Sequence, residues 1–401
     1  MTLIRWALLA GAALSLGCAA PTLSSRRTAA APAIAALQQG SFDHAEKLAF
    51  AGLSRDDKDP YSRLVRAIVR YKKVNHQLAL DGMSIVGSIE VGAVNQKYLS
   101  ATLGDAEAEL ALVEADLAVA AAHKGLSMEL CLACWEIDWN GNGRVDDRDR
   151  RLLKIEEDAE GEPIPEGDPR RRPTFRFDDG DVAWARAFVS FERAALDVVL
   201  AYDWSEAAKL GGRRRSRPAQ IVVPLREPGR IAQAKKRILE GLEQSDLERR
   251  AYLAETDDDR EWVPGPRQRN HPMPLEVNQG LYDTWEGVVS DVRRLVEGDE
   301  GLHLGDALRL VGEGSRHSPS GYLDVGRMLA HPKDIVLDLR EIERLDAARD
   351  EGGAFASVLG EYYVSEMKPS PLLHRLERMK GEVDKHHEAL EHKLRYLFWL
   401  N

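Results

Sequence analysis

Residues 99–134 read LSATLGDAEAELALVEADLAVAAAHKGLSMELCLAC. Alanine and leucine dominate this stretch, and acidic side chains such as Glu107 and Glu114 are interspersed among them. Alanine has the highest helix propensity of the amino acids, and apolar residues with charges between them at helical spacing indicate an amphipathic helix. The stretch therefore predicts one long helix that ends at Cys134.

Helical spacing of apolar residues continues on both sides of this stretch. It occurs at 34–82, 182–210, 230–253, 276–295, 305–311, 334–349, 354–367 and 371–399, with glycine and proline clusters between the segments. The run Asp178-Asp179-Gly180-Asp181 is typical of a helix start, because aspartate caps the free N–H groups of a first turn. Hairpin signals are nearly absent, apart from the β-prone run 221–223. The sequence predicts an all-α protein, an irregular multi-helix bundle.

Composition and charge narrow the class of protein. The chain has 401 residues, of which 44% are hydrophobic and 30% are charged, as in a soluble globular protein. No run of about 18 apolar residues follows the N-terminus, so the body is not expected to span a membrane. A formal net charge of -11 argues against sequence-independent nucleic-acid binding, which needs a basic face toward the phosphates. We expect no nucleic-acid partner.

The first residues have the form of an export signal. Arg5 precedes an apolar run at 6–16 that is too short to span a bilayer. The run Leu14-Ser15-Leu16-Gly17-Cys18 resembles the lipobox of bacterial lipoproteins, although Ser15 stands where leucine is usual. The resemblance implies cleavage before Cys18 and a lipid on that cysteine, which would hold the protein on a membrane of the bacterial cell envelope. An ordinary secretory signal or a buried N-terminal helix is the alternative.

Changes in composition divide the chain into five segments. They are a signal peptide at 1–17, a lipid anchor and flexible tether at 18–33, an N-terminal helical region at 34–210, a linker at 211–228 and a C-terminal helical region at 229–401. The tether is rich in alanine and serine and lacks a hydrophobic period. The two helical regions either divide at the linker or pack as one domain. Apolar spacing at 34–75 resembles one tetratricopeptide-like hairpin, without the further copies that a repeat protein needs.

Residues 138–149 contain the one group of side chains in the sequence whose spacing indicates a chemical site. Side-chain oxygens fall at loop positions 1, 3, 5, 9 and 12, which are Asp138, Asn140, Asn142, Asp146 and Asp149. This spacing, with Gly143 at position 6, resembles the calcium loop of the EF-hand family, in which oxygen ligands curl around the ion and the glycine permits a sharp turn. The resemblance implies a Ca²⁺ site formed by those side chains and the backbone carbonyl of Arg144, in a helix-loop-helix insertion.

Two positions of the loop depart from the family. Asp149 stands where a bidentate glutamate is usual, and the neutral Asn142 stands where aspartate is more frequent. Three carboxylates imply modest affinity, in the range of about 10⁻⁴ to 10⁻³ M that extracellular modules have. The sequence contains no clear second loop, so a fixed, stabilising ion is expected rather than a calcium switch. An acidic Asn-Gly turn without a metal is the other interpretation.

Cys131 and Cys134 are the cysteines that remain beyond Cys18. A disulfide is possible in an oxidising envelope. In a helix, residues three apart bridge only with distorted geometry, which favours two buried thiols. The sequence leaves the choice open.

Two other segments contain candidate site residues. Near the C-terminus, His386, His387, Glu388 and His392 share one predicted helix, but the spacing does not match His-Glu-x-x-His. The irregular segment 256–274 combines Asp257, Asp258, Asp259, Glu261, Trp262 and His271 with several prolines, and long irregular segments often carry function. A solvated face and a surface loop are the simpler interpretations. The arginine groups 170–172 and 213–217 are expected to be solvated loop charges, although they could contact anionic lipid.

These patterns support two functional hypotheses. The first is a non-enzymatic envelope lipoprotein whose helical body binds calcium for structure and offers a surface to a protein partner. The second is a calcium-stabilised envelope hydrolase that acts on glycan or peptide, with catalytic groups near 257–271. The sequence has no Gly-Lys-Ser/Thr phosphate loop, Gly-x-Ser-x-Gly elbow or dinucleotide fingerprint, which favours the first.

Overall fold

The protein is described from a computed structural model. The structure describes residues 22–90, 95–131, 134–135, 137–138, 142–146, 149, 162–211, 218–258, 260–271, 278–310, 320–347 and 351–384. Most of these residues are helical, as the sequence predicts.

Helices form the framework of the described chain. They are α1 (Leu23–Gln38), α2 (Phe42–Leu53), α3 (Pro60–Glu90), α4 (Gln96–Ala121), α5 (Asp179–Leu200), α6 (Pro228–Ala254), α7 (Gln279–Glu297), α8 (Leu304–Leu310), α9 (Val325–Ala330), α10 (Leu339–Ala347), α11 (Glu351–Leu359) and α12 (Leu372–Asp384). Short 3-10 helices occur at Pro169–Arg171, Trp204–Gly211 and Gly360–Tyr362. α5 begins as predicted. The Asp178 side chain accepts from the backbone N–H of Asp181, and the Asp181 side chain accepts from the backbone N–H of Asp178, which together form a capping box.

Small antiparallel sheets join these helices, and they correct the expectation of a purely helical protein. The strands are β1 (Ser127–Leu130), β2 (Phe175–Asp178), β3 (Gln220–Val223), β4 (Leu302–His303), β5 (Tyr322–Leu323), β6 (Ile335–Asp338) and β7 (Tyr363–Val364). Their orders are β1-β2, β3-β6 and β4-β5-β7. The β-prone run 221–223 does form a strand, in β3. Each sheet pairs segments that are distant in sequence, which explains why local hairpin signals are missing.

The long helix predicted over 99–134 is shorter in the structure. α4 ends at Ala121, and Gly125 then adopts φ +79, a left-handed conformation that glycine tolerates well. The backbone N–H groups of Gly125 and Leu126 donate to the carboxylate of Asp179, at 2.9 and 3.0 Å. These bonds redirect the chain into β1, so the last residues of the predicted helix pair with β2 instead.

Helix α1 begins inside the segment that the sequence analysis assigns to a flexible tether. Thr22 caps its first turn by accepting from Ser25 N–H, and Ala30 and Ala33 are buried. These alanines pack in the main hydrophobic core, and the helix continues through Pro32. Residues 22–33 are therefore part of the folded body, while 1–21 lie outside the described residues.

Helices on the two sides of the predicted linker pack along each other. A Cβ atom at Gly241 of α6 would lie 2.6 Å from the Phe191 ring of α5, so glycine permits this close approach. Arg237 of α6 forms ion pairs with Asp197 of α5 and with Glu107 of α4. A domain boundary at 211–228 stays a prediction. Among the described residues, no helix combines the length and apolar character that crossing a membrane requires.

Candidate functional site

The predicted calcium loop turns around the side chain of Asp138. Its two carboxylate oxygens accept the backbone N–H groups of Asn142 and Gly143, at 3.1 and 2.6 Å. Gly143 has φ +82, the left-handed conformation that the resemblance assigns to loop position 6. The chain therefore reverses with the Asp138 carboxylate on the inside of the turn.

The far end of the loop is held by Asp149, which is 3% exposed. Its Oδ2 accepts from the backbone N–H of Asp146 at 3.0 Å. The Asn142 side chain donates to Asp146 Oδ2 at 3.3 Å and accepts from the N–H of Arg144 at 2.9 Å. Asn140, at loop position 3, lies outside the described residues.

The loop is fixed to the helical body where it begins. Buried Trp135 donates from Nε1 to the carbonyl oxygen of Leu37 in α1, at 2.8 Å. His76 of α3 donates from Nε2 to the carbonyl oxygen of Asp138, at 2.5 Å. The loop thus starts from a position defined by two helices.

Cys131 and Cys134 form a disulfide, with their Cα atoms 5.3 Å apart. The pair does not lie in the long helix that the sequence predicts, because Cys131 directly follows strand β1. The disulfide closes the turn between β1 and the start of the loop. Cys18, the proposed lipidation site, lies outside the described residues.

Three further carboxylates, which sequence reasoning did not group, meet at a second place. Asp178 ends β2, Glu255 follows α6, and Glu261 lies in the irregular segment beyond it. One oxygen from each lies within 4.8 Å of the other two. Within the described ranges, the loop carboxylates of Asp138, Asp146 and Asp149 do not converge in this way.

Backbone pairing brings the three carboxylates together. Arg176 N–H, in β2, donates to the carbonyl oxygen of Arg260 at 2.7 Å, and Arg176 forms a parallel bridge with Glu261. On the other side, Gln268 donates from Nε2 to Glu255 Oε2 at 3.0 Å. The acidic run 178–181 and the segment 256–274 are separate features in sequence, so no local signal could have joined them.

Burial dominates the electrostatics of this carboxylate cluster, which consists of Asp178, Glu255 and Glu261. Burial, and then the charge of Asp178, raises the pKa of Glu261 to about 8. The same two causes raise the pKa of Glu255, and burial raises that of Asp178. Behind the cluster, fully buried Asp181 accepts from the Tyr252 hydroxyl at 2.7 Å, and burial raises its pKa well above the usual range. The site therefore favours protons or another cation.

Asp258 and Trp262, which the sequence also singles out in the segment 256–274, have structural roles. Asp258 Oδ1 accepts the backbone N–H groups of Arg269 and Asn270, at 2.6 and 2.8 Å, and so closes the loop. Trp262 is buried between Phe175 and Phe177, at ring distances of 4.8 and 5.5 Å. Asp259, the arginine group 213–217, and the group His386, His387, Glu388 and His392 lie outside the described residues.

The two sites offer different chemistry. The loop presents oxygen ligands along one turn of chain, whereas the cluster presents carboxylates from three segments in a partly buried setting. Both donor sets consist of oxygen atoms, which hard cations such as Ca²⁺ and Mg²⁺ prefer. Comparisons with protein-family models, curated proteins and solved structures find no match for this chain.

Proposed function

We propose that this protein is a lipid-anchored component of the bacterial cell envelope, non-enzymatic, whose helical body binds one stabilising Ca²⁺ in the loop 138–149 and presents a surface to a protein partner. The observation that carries the calcium assignment is the position of Asp138. Its carboxylate lies inside the chain reversal, with Gly143 in the conformation that a calcium loop requires.

The described ligand candidates fit a hard cation. Asp138, Asn142, Asp146 and Asp149 all offer side-chain oxygen, and the Arg144 carbonyl would add a backbone oxygen. Calcium bound here would draw these carboxylates closer together and neutralise part of their negative charge. Since the loop starts at contacts with α1 and α3, an ion in the loop would also fix its position against the body.

Calcium should therefore raise the melting temperature of the full chain. In Asp138→Ala this rise should be smaller, because the loop no longer contributes to it. An ion that binds only the folded state stabilises by about 1.4 kcal/mol when its concentration is tenfold above Kd. Asp138 is the sharpest position to change, because both of its oxygens organise the turn. Calorimetric titration should find one fewer bound Ca²⁺ in Asp138→Ala than in the wild type.

The matched control is Glu166→Ala, which removes an exposed carboxylate from another loop. It should leave the bound-calcium number and the calcium-dependent stabilisation unchanged. Equal calcium binding by the wild type and Asp138→Ala, at concentrations up to tenfold above the weak end of the extracellular range of about 10⁻³ M, would refute the loop assignment.

The lipid anchor is tested at Cys18. The wild type should partition with membranes, and Cys18→Ser should release it, because each buried acyl methylene contributes about 0.8 kcal/mol to membrane binding. Cys134→Ser, which changes a cysteine of the disulfide instead, should stay with the membranes. Mass spectrometry that finds an unmodified N-terminus at Ala19 or beyond would contradict the anchor.

The alternative hypothesis, a calcium-stabilised envelope hydrolase, requires carboxylates that a glycan or peptide can reach. The carboxylates that converge near the segment 257–271 include Glu261, which is buried, and Asp258 is engaged with two backbone N–H groups. For this reason we give preference to the non-enzymatic role.

A further inference from the structure

We propose that Asp178, Glu255 and Glu261 form a second divalent-cation site, independent of the calcium loop. Their oxygens converge to within 4.8 Å of one another. Glu261 is 1% exposed, and neither of its carboxylate oxygens has a hydrogen-bond partner. A buried carboxylate without such partners is costly, which points to a ligand that completes its surroundings.

Among the described residues, Arg176 is a basic side chain that forms an ion pair with the cluster. Arg176 Nη1 lies 3.5 Å from Glu261 Oε1, but the same atom lies 3.4 Å from Asp257 Oδ2, so one guanidinium serves two carboxylates. Asp178 and Glu255 add two further carboxyl groups beside them. A divalent cation between the three groups would replace their protons and stabilise their ionised forms.

The three oxygens are close enough to share one ion. Calcium binds oxygen at about 2.3 to 2.6 Å, so ligands on opposite sides of the ion lie about 4.6 to 5.2 Å apart. Magnesium binds at about 2.0 to 2.1 Å, which gives a separation of about 4.0 to 4.2 Å for opposite ligands. Separations of at most 4.8 Å between the cluster oxygens are compatible with one divalent cation bound by all three residues.

Hydrogen bonds fix two of the ligands, Asp178 and Glu255, which are also partly exposed. Asp178 Oδ1 accepts from Gly180 N–H at 2.7 Å, and Gln268 supports Glu255 while its own Oε1 accepts from Gly265 N–H at 2.5 Å. Asp178 and Glu255 are half-buried, so solvent reaches their side of the cluster. An ion bound here would tie the start of α5 to the end of α6.

The test is calcium titration of the full chain by calorimetry, with the loop site removed by Asp138→Ala. This variant should still bind one Ca²⁺ per chain. Adding Glu261→Gln should weaken this remaining calcium binding at least tenfold. Adding Glu243→Gln instead, which removes an exposed carboxylate from α6, should leave it unchanged.

Folding is checked by circular dichroism and by melting in chelator, where Glu261→Gln should be at least as stable as its parent, since an amide replaces a crowded carboxylate. If that variant does not fold, Glu255→Gln tests the same site. Calcium binding that is insensitive to Glu261→Gln, or absent from folded Asp138→Ala, overturns the proposal. Titration of the wild type distinguishes the two proposed sites. If only the loop binds calcium, the wild type binds one Ca²⁺ and Asp138→Ala binds none. If only the cluster binds calcium, the wild type and Asp138→Ala each bind one Ca²⁺.

Discussion

Replacing Asp116 with alanine should lower the free energy of unfolding by about 3 to 5 kcal/mol, the cost of removing one partner from a buried ion pair. Asp116 lies on α4 and is 1% exposed. From α3, Arg66 donates to its carboxylate from Nε and Nη2, at 2.7 and 2.6 Å, and Arg63 donates from Nη1 at 2.8 Å. Without the carboxylate, two largely buried guanidinium groups lose their common partner at the helix interface.

Urea unfolding followed by circular dichroism measures this loss, which should appear as a lower midpoint with an unchanged slope. Asp105→Ala is the matched control, because it removes an exposed aspartate from the same helix. That change should alter the free energy of unfolding by less than about 0.5 kcal/mol. A loss below about 1 kcal/mol for Asp116→Ala would mean that water satisfies both arginines and that the pair does not hold the interface.

Helices were predictable from the sequence wherever the apolar residues that define them recur within one continuous segment. The segment 230–253 corresponds to α6 (Pro228–Ala254), and the acidic run that starts at Asp178 caps α5 as expected. The predicted helix over 99–134 ends early because Asp179, from a distant segment, binds the backbone N–H groups that follow α4. Helix propensity carries no information on such a partner.

Strands were harder to predict because their partners are remote. β1 (Ser127–Leu130) pairs with β2 (Phe175–Asp178), and β3 (Gln220–Val223) pairs with β6 (Ile335–Asp338). Strands of four residues contain too few positions for an alternating pattern to stand out. Helix α1 was missed for a related reason: its alanines are buried by the body, and the segment by itself has no apolar stripe.

The two candidate cation sites differ in predictability in the same way. The calcium-type loop lies within twelve residues, so the spacing from Asp138 to Asp149 is visible in the sequence alone. The carboxylate cluster draws on residues 178, 255 and 261, which come together only after β2, α6 and the following segment have packed. In the sequence, Glu261 is simply an acidic residue next to a tryptophan, and such a pair does not by itself indicate a metal ligand.

Both sites are connected to the same two-stranded sheet. The chain leaves β1 at Leu130, opposite Phe175, and continues through the disulfide into the calcium-type loop. Asp178, a member of the cluster, lies at the other end of the sheet, opposite Ser127. Cations at the two sites would therefore brace opposite ends of one short, partly buried element, which fits a stabilising role for both.

Ionisation of Glu192, on α5, should lower the free energy of unfolding as the pH rises from 4.5 to 7. Burial raises the pKa of Glu192 from 4.5 to about 7, although Tyr71 donates to its Oε1 at 3.0 Å and Lys72 lies nearby. The folded protein holds this proton more tightly than the unfolded chain does. The stability that it contributes is therefore complete below pH 4.5 and is lost as the pH rises through 7, about 2.5 kcal/mol over this window.

Lys72 acts in a different pH range. Burial lowers its pKa to about 8, so its contribution to stability is complete above the ordinary value of 10.5 and is lost as the pH falls through 8. The lysine is thus charged throughout the window from 4.5 to 7, where Glu192 titrates. Measurements confined to that pH window therefore report the titration of Glu192 and not that of Lys72.

The measurement is the free energy of unfolding against pH, in chelator, for the wild type and Glu192→Gln. Glutamine keeps an oxygen that accepts from the Tyr71 hydroxyl but cannot titrate. Between pH 4.5 and 7 the wild type should lose about 2.5 kcal/mol more than this variant. Glu243→Gln, which changes an exposed glutamate on α6, should follow the wild-type profile. Parallel profiles for the wild type and Glu192→Gln would mean that Glu192 is ionised throughout, because Lys72 then compensates its burial in full.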